Sequence, residues 1–350
     1  MTAVAPSPAG ELGWRKVIVA ILVMLLVPIV PPFRALVPIQ EPLLLIVPAL
    51  AVCTLLGWGS GGPLLAALLW CGVAAVVLTR PSQAGSVARY HDLTRGWALL
   101  VAGGFGAVGL LMGKRTFFVR AVLTASIALA VALMVSVSRT SGFEEARRAV
   151  RAQFAMRNES YIRPLRQVVQ SPPPQLREFM ARYGVNAQMV DVTDEQLRAT
   201  SRFAVIVFPA LLLLQTIAAL GIAWSLYHRL NRSRIGAPLT PIRQFRFNDQ
   251  LVWGLVVGLA IAFPDRLSSV RGLGINLLVF FGMLYSLRGL GVFLWFLSQM
   301  GPKLALMAGV LLVLTPLIGA SAVLGVISLM LVLGLGDTWM DWRKAEGKAT

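Results

Sequence analysis

The chain has 350 residues, of which 57% are hydrophobic and only 13% charged, and its mean hydropathy is +0.74. A soluble domain of this length has no use for so much apolar surface, so the composition excludes a soluble enzyme or carrier and places the chain in a membrane. The formal charge of +17 would suit nucleic acid, but the 32 basic residues are scattered over nearly every connecting segment, which is how cytoplasmic loops of membrane proteins collect Lys and Arg; no nucleic-acid partner is expected.

In chain order, residues Met1 to Gly10 are polar and Val17 to Val30 is a first apolar span closed by Pro31 and Pro32. It follows Arg15 and Lys16 without a small-residue cleavage site and is expected to be retained, not removed as a signal peptide. Leu43 to Leu78 carries no charge, and "GWGSGGP" from Gly57 to Pro63 divides it into a hairpin of two spans, because Gly and Pro there supply a turn. Trp97 to Gly113 and Phe117 to Val137 are separated only by "KRT" and are expected to be antiparallel neighbours.

Arg139 to Arg202 stands apart. Phe143, Ala146, Val150, Phe154, Tyr161, Leu165 and Val168 recur at helical spacing with arginines between them, which predicts an amphipathic helix stopped by "SPPPQ". A short helix from Gln175 to Tyr183 should end at Gly184, and "TDEQ" from Thr193 to Gln196 has the spacing of a capping box that would start the helix leading into the next span.

Ala204 to Leu226 is a charge-free span, Leu251 to Phe263 a short one, and Leu273 to Leu297 a span interrupted by Arg288. Leu304 to Gly336 is uncharged for 33 residues, about 50 Å as one helix against a hydrocarbon core of about 30 Å, so Pro316 and the Gly319 to Ser321 stretch are expected to divide it. The fold class is therefore all-α: a polytopic transmembrane helical bundle of nine or ten spans with a helical extramembrane insert. Three regions follow, residues 1–138 with about five spans, the insert 139–202, and a second membrane bundle 203–350.

With ten spans and the N-terminus inside, the inside loops hold Arg15, Lys16, Lys114, Arg115, Arg120, Arg229, Arg232, Arg234, Arg243, Arg246, Lys303, Arg343, Lys344 and Lys348. The short outside loops hold Arg34, Arg80, Arg89, Arg95, Arg266 and Arg271, so both termini are expected on the cytoplasmic side.

Signals of chemistry are few. "GFGAVG" from Gly104 to Gly109 fits a dinucleotide-binding spacing, but it lies within a span, with no strand before it, and reads as helix packing, as does "GLVVG" from Gly254 to Gly258. Cys53 and Cys71 lie in apolar runs with no CxxC or nearby His, which gives neither a zinc site nor a redox pair. His91 and His228 sit beside spans and read as solvated interfacial residues. There is no HExxH, no SxxK and no intramembrane carboxylate pair, so no enzyme activity, catalytic residue, metal or cofactor is expected.

Arg288 is the exception. A charge at mid-span exposed to lipid costs at least about 3 kcal/mol, so it should face the bundle interior or a wet cavity. Asn276 on its own helix and Gln215 from another span are its expected polar company, while Asp249, Asp265 and Asp337 lie at span ends. An uncompensated interior guanidinium would suit an anionic small molecule, a lipid headgroup or a partner's carboxylate; alternatively it is structural, snorkelling or capping carbonyls at a helix break in "RGLG" from Arg288 to Gly291.

From Phe203 onward the chain resembles the YybS-like family of bacterial multi-pass membrane proteins. The residues that carry this are "FPALLLLQTIAAL", "FRFNDQLVWGL", "NLLVFFGMLYSLRGLGVFLWFL" and the ending "LGLGDTWMDWRK". That family looks distantly similar to the substrate-capturing S components of energy-coupling-factor transporters and to the cell-shape protein MreD. The resemblance implies a helical bundle of the bacterial cytoplasmic (inner) membrane that binds or transports a small molecule in the manner of an S component, or a membrane scaffold of envelope assembly. In the first role Arg288, Asn276 and Gln215 line a polar cavity. In the second, the loop and tail residues Arg243, Arg246, Asp249, Trp253, Asp337, Asp341 and Arg343 interact, and the partners are the lipid bilayer and other membrane subunits. The expected loop–tail contact pairs Asp337 or Asp341 with Arg243 or Arg246.

Overall fold

A computed structural model describes residues 13–29, 31–34, 36–81, 88–113, 115–138, 142–183, 186–231, 235–301, 303–304, 307–311, 315 and 320–343. Among the described residues the regular structure is helical and contains no strand. The helices are α1 (Trp14–Leu26), α2 (Pro31–Arg34), α3 (Leu43–Gly59), α4 (Leu64–Thr79), α5 (Ala88–Leu111), α6 (Phe117–Ser138), α7 (Gly142–Gln170), α8 (Pro174–Arg182), α9 (Ala187–Ile206), α10 (Phe208–Leu230), α11 (Val252–Ala262), α12 (Arg271–Gln299) and α13 (Ala320–Met340). Among the described residues five helical segments are long and apolar enough to cross a membrane: Ala88–Leu111, Phe117–Ser138, Phe208–Leu230, Asp265–Gln299 and Ala322–Met340. Leu43–Gly59, Leu64–Thr79 and Asp249–Ala262 are shorter apolar segments. The expected breaks at Pro316 and at Gly319 to Ser321, and the Gly184 cap, lie outside the described residues or their described side chains.

The chain divides into two compact units, one formed by residues 1–205 and 212–239, the other by residues 206–211 and 240–350. In the first unit the "GWGSGGP" stretch makes the α3–α4 turn, with Gly61 at a φ of +92° and the Gly62 N–H donating to the Gly57 carbonyl at 2.9 Å. This is the left-handed ending that only glycine takes without strain. "GFGAVG" is a packing surface: a Cβ at Gly106 would stand 3.0 Å from Val52 and one at Gly109 2.7 Å from Leu56, so α3 and α5 approach as closely as bare glycines allow. The outer face of α4 leaves Leu65, Leu68, Leu69 and Val76 exposed, an apolar surface suited to lipid and not to water.

The insert folds as a hairpin of α7 and α9 joined through α8. Ile162 of α7 packs with Val190 and Leu197 of α9, and Asn158 donates to Ser201 at 2.9 Å. Phe143 is 55% exposed, and Leu165 and Val168 are also exposed, so the buried stripe is Ala149, Val150, Phe154 and Ile162, narrower than the sequence spacing suggested. "TDEQ" does not start a helix. Asn186 accepts from the Met189 N–H at 3.0 Å and caps α9 seven residues earlier, which leaves Thr193 inside the helix with its hydroxyl on the Met189 carbonyl. Asp194 is held by Arg198 at 2.9 Å and Arg166 at 3.3 Å, and these hydrogen bonds, Arg198's first, keep its carboxyl below the usual carboxylate range.

In the second unit α11, α12 and α13 pack together. A Cβ at Gly254 would collide with the Phe281 ring, and one at Gly274 would stand 2.9 Å from the Gly258 carbonyl oxygen. A Cβ at Gly289 would collide with the Met330 carbonyl, and one at Gly334 with the Tyr285 carbonyl. These reciprocal contacts make α12 and α13 an antiparallel pair in backbone contact, and they set the height at which charges on the two helices meet.

Candidate functional site

Arg288 is eighteen residues into a 29-residue helix that runs unbroken through "RGLG". The two glycines that follow it serve packing, not a break: Gly289 admits α13, and Gly291 admits the segment before α11, since a Cβ there would stand 2.5 Å from the Ile242 carbonyl oxygen. The alternative in which Arg288 caps carbonyls at a helix break is thereby corrected, because an α12 with no break frees no carbonyls.

The guanidinium is 3% exposed, and each of its three nitrogens donates. Nε reaches Asp337 Oδ2 at 2.9 Å, Nη1 reaches Asp249 Oδ1 at 2.5 Å, and Nη2 reaches the Asp337 carbonyl at 3.2 Å. The face of the group lies over the Phe247 ring at 5.5 Å, and that ring meets Tyr285 edge-on. The expectation of an uncompensated cation is therefore overturned. The close crossing at Gly289 and Gly334 brings Asp337, three residues beyond Gly334, alongside Arg288, although Asp337 ends an uncharged run in the sequence.

A second arginine closes the network. Asp341 takes a φ of +44° immediately after α13, a left-handed residue where glycine is usual, and the chain reverses there. The reversal lets Arg343 turn back on Asp337, with Nε at 3.2 Å from Oδ1 and Nη2 at 2.5 Å from Oδ2. Arg343 Nη1 also donates to the carbonyls of Arg243 and Phe245, at 2.9 and 3.2 Å. Arg246 meets Asp341 at 2.7 Å. Three arginines and three aspartates thus form one cluster in which Asp337 is fully buried and Asp249 is more than half exposed. Of the loop and tail residues named from the sequence, Arg246, Asp249, Asp337, Asp341 and Arg343 meet through side chains; Arg243 contributes a backbone carbonyl.

Asn276 and Gln215 do other work. Asn276 repairs the junction of α9 and α10, where Pro209 prevents a continuous helix: its Nδ2 donates to the Ile206 carbonyl at 2.8 Å and its Oδ1 accepts from the Ala210 N–H at 3.0 Å. Gln215 pairs with both backbone groups of Ile39, accepting at 2.9 Å and donating at 2.6 Å. The expected cavity of Arg288, Asn276 and Gln215 is corrected accordingly: within the second unit Arg288 and Asn276 spend their polar atoms on separate partners, and within the first unit Gln215 spends its own on Ile39.

Two residues of the first unit went unnoticed in the sequence. Arg157, on the insert helix α7, donates to the carbonyls of Val37 and Pro38, each at 2.8 Å, and Tyr90 also donates to Pro38. With Gln215 these side chains satisfy an irregular segment, residues 36–41, that has no helix of its own to do so. Burial pushes the Arg157 guanidinium below its ordinary value. In the sequence it is one of several arginines between the apolar positions of the amphipathic helix, with nothing to set it apart. His228, expected at the surface, is 1% exposed, packed 4.8 Å from Trp224.

Residues 17–329 match the family described as "Predicted membrane protein (DUF2232)", and the chain belongs to that family. No curated protein and no solved structure matches it.

Proposed function

We propose that this DUF2232 protein is a non-catalytic membrane scaffold, whose second unit is a fixed platform for another membrane subunit, and not a carrier that grips its ligand through Arg288. The observation that carries this reading is that all three nitrogens of the Arg288 guanidinium are held by Asp337 and Asp249. A site meant to seize and release an anion keeps donors free; this one is neutral, with three cations facing three anions, and two of its members tie the chain end to the segment before α11. Around the network Ile242, Trp253, Trp339 and Met340 are exposed beside the half-open carboxylate of Asp249, which offers a partner an aromatic and polar surface at the helix ends. The resemblance to YybS-like proteins, and through them to MreD, is in keeping with an assembly role in the bacterial cytoplasmic membrane; the S-component likeness would need a ligand site elsewhere in the chain.

Native mass spectrometry of the full chain extracted from its own membrane tests this. A co-purifying protein subunit is expected, lost when Trp253→Ala and Trp339→Ala are combined. A chain that carries no subunit, and instead a small molecule whose retention disappears with Asp249→Asn, would overturn the reading.

A further inference from the structure

The first unit contains a buried cation with the opposite character to Arg288. Arg120 lies in the first turn of α6 and is 1% exposed, and among the described residues its Nε and Nη1 have no acceptor and no carboxylate pairs with it. One turn further along the same face, the Thr124 hydroxyl is fully buried and also has no hydrogen-bond partner. Residues four apart on a helix are neighbours, so the two unpaired donors belong to one face of α6. Buried polar groups left unpaired are costly, more so when charged, and a helix's first turn, here without an acidic residue, adds its own partial positive charge.

The surroundings are built to exclude water. Trp224 covers one face of the guanidinium at 4.5 Å, and Phe105 and Phe117 pack on Trp224 at 6.0 and 5.9 Å. The segment from Ile235 to Ala237 lies over the site, held where the Trp224 indole donates to the Ala237 carbonyl at 3.1 Å and Tyr227 accepts from the Ile235 N–H at 3.2 Å. Gly236, at a φ of +71°, passes so close that a Cβ would stand 2.8 Å from Arg120 Nη2. Low-dielectric surroundings strengthen attraction for an anion, and the unpaired Arg120 nitrogens and Thr124 hydroxyl are groups able to donate to one.

We propose that Arg120 and Thr124 hold a phosphate group beneath the 235–237 segment. A phosphate group presents several acceptor oxygens, which suits one guanidinium plus one hydroxyl better than a halide would. The group could be supplied by a phospholipid headgroup or by free phosphate. Because it is covered, it exchanges slowly and survives purification. This site is independent of the scaffold reading, which rests on the second unit and on a protein partner.

The test is native mass spectrometry and thermal unfolding of the full chain, with added inorganic phosphate, or in vesicles of phosphatidylcholine alone or mixed with phosphatidylglycerol. One retained phospholipid per chain and stabilisation by phosphatidylglycerol alone identify a headgroup; stabilisation by inorganic phosphate identifies the free ion. Thr124→Val keeps shape and packing and is expected to weaken either effect about tenfold; Arg120→Gln should abolish it. Gly236→Ala, which crowds the cover, should speed loss of the ligand. No stabilisation by either probe, or stabilisation that Thr124→Val leaves unchanged, would overturn the proposal, whether or not Arg120→Gln folds.

Discussion

A guanidinium taken out of water must recover its hydrogen bonds, and Arg288 recovers them from Asp337, Asp249 and the Asp337 backbone. The three contacts are unequal. Asp337 is buried and shared between Arg288 and Arg343, so Asp337→Asn strands two cations at once, whereas Arg246 and Asp341 are partly exposed and screened. Removing one partner of a buried pair costs about 3–5 kcal/mol, and an exposed pair contributes about 0–1 kcal/mol. Unfolding in detergent should therefore show a large loss for Asp337→Asn and little change for Arg246→Ala. Equal losses would mean that the buried cluster does not hold the unit together. The sequence announced Arg288 as a residue in need of partners, and the insertion cost alone was enough for that. It could not name Asp337, because the juxtaposition depends on a helix crossing, and the left-handed turn at Asp341 that returns Arg343 has no glycine to mark it.

Helices were the most legible level, since charge-free runs of 20 or so residues between basic loops have few other solutions in a bilayer. The ends were less so: Asn186, not "TDEQ", caps α9, and α5 begins at Ala88, taking in Arg89, Asp92 and Arg95 that the hydropathy reading left in a loop. How the helices pack was visible only as a scatter of glycines whose roles differ. Gly289 and Gly334 bring α12 and α13 into backbone contact, while a Cβ at Gly282, two turns earlier on α12, would meet nothing within 4 Å. Gly289→Ala must push the helices apart and is expected to destabilise by about 1–3 kcal/mol or more, with the Arg288–Asp337 contact disturbed as well. Gly282→Ala on the same helix should be neutral or stabilising by up to about 1 kcal/mol, because it only removes backbone freedom. Thermal unfolding of the two variants side by side separates close packing from helix propensity; a harmless Gly289→Ala would contradict the crossing.

At the scale of the whole chain the governing quantity is the distribution of basic residues, since Lys and Arg resist crossing during insertion. The loops assigned to the inside hold fourteen of them and the short outside loops six, from which both termini are expected in the cytoplasm and the insert of α7, α8 and α9 on the opposite side. Arg157 and Arg166 do not weaken this count, because a long folded segment translocates largely regardless of its charge, and inside the insert these arginines are engaged with carbonyls and with Asp194. Arg120 belongs to the inside set, so a phosphate held there would come from the cytoplasm or from the inner leaflet. A membrane-impermeant thiol reagent reads this arrangement directly. With Cys53 and Cys71 replaced by Ser, a cysteine at Ser171, in the exposed turn between α7 and α8, should be labelled in intact cells, and one at Thr350 only after the membrane is opened. Labelling of Thr350→Cys but not Ser171→Cys in intact cells would invert the topology, and with it the side from which a phosphate could reach Arg120.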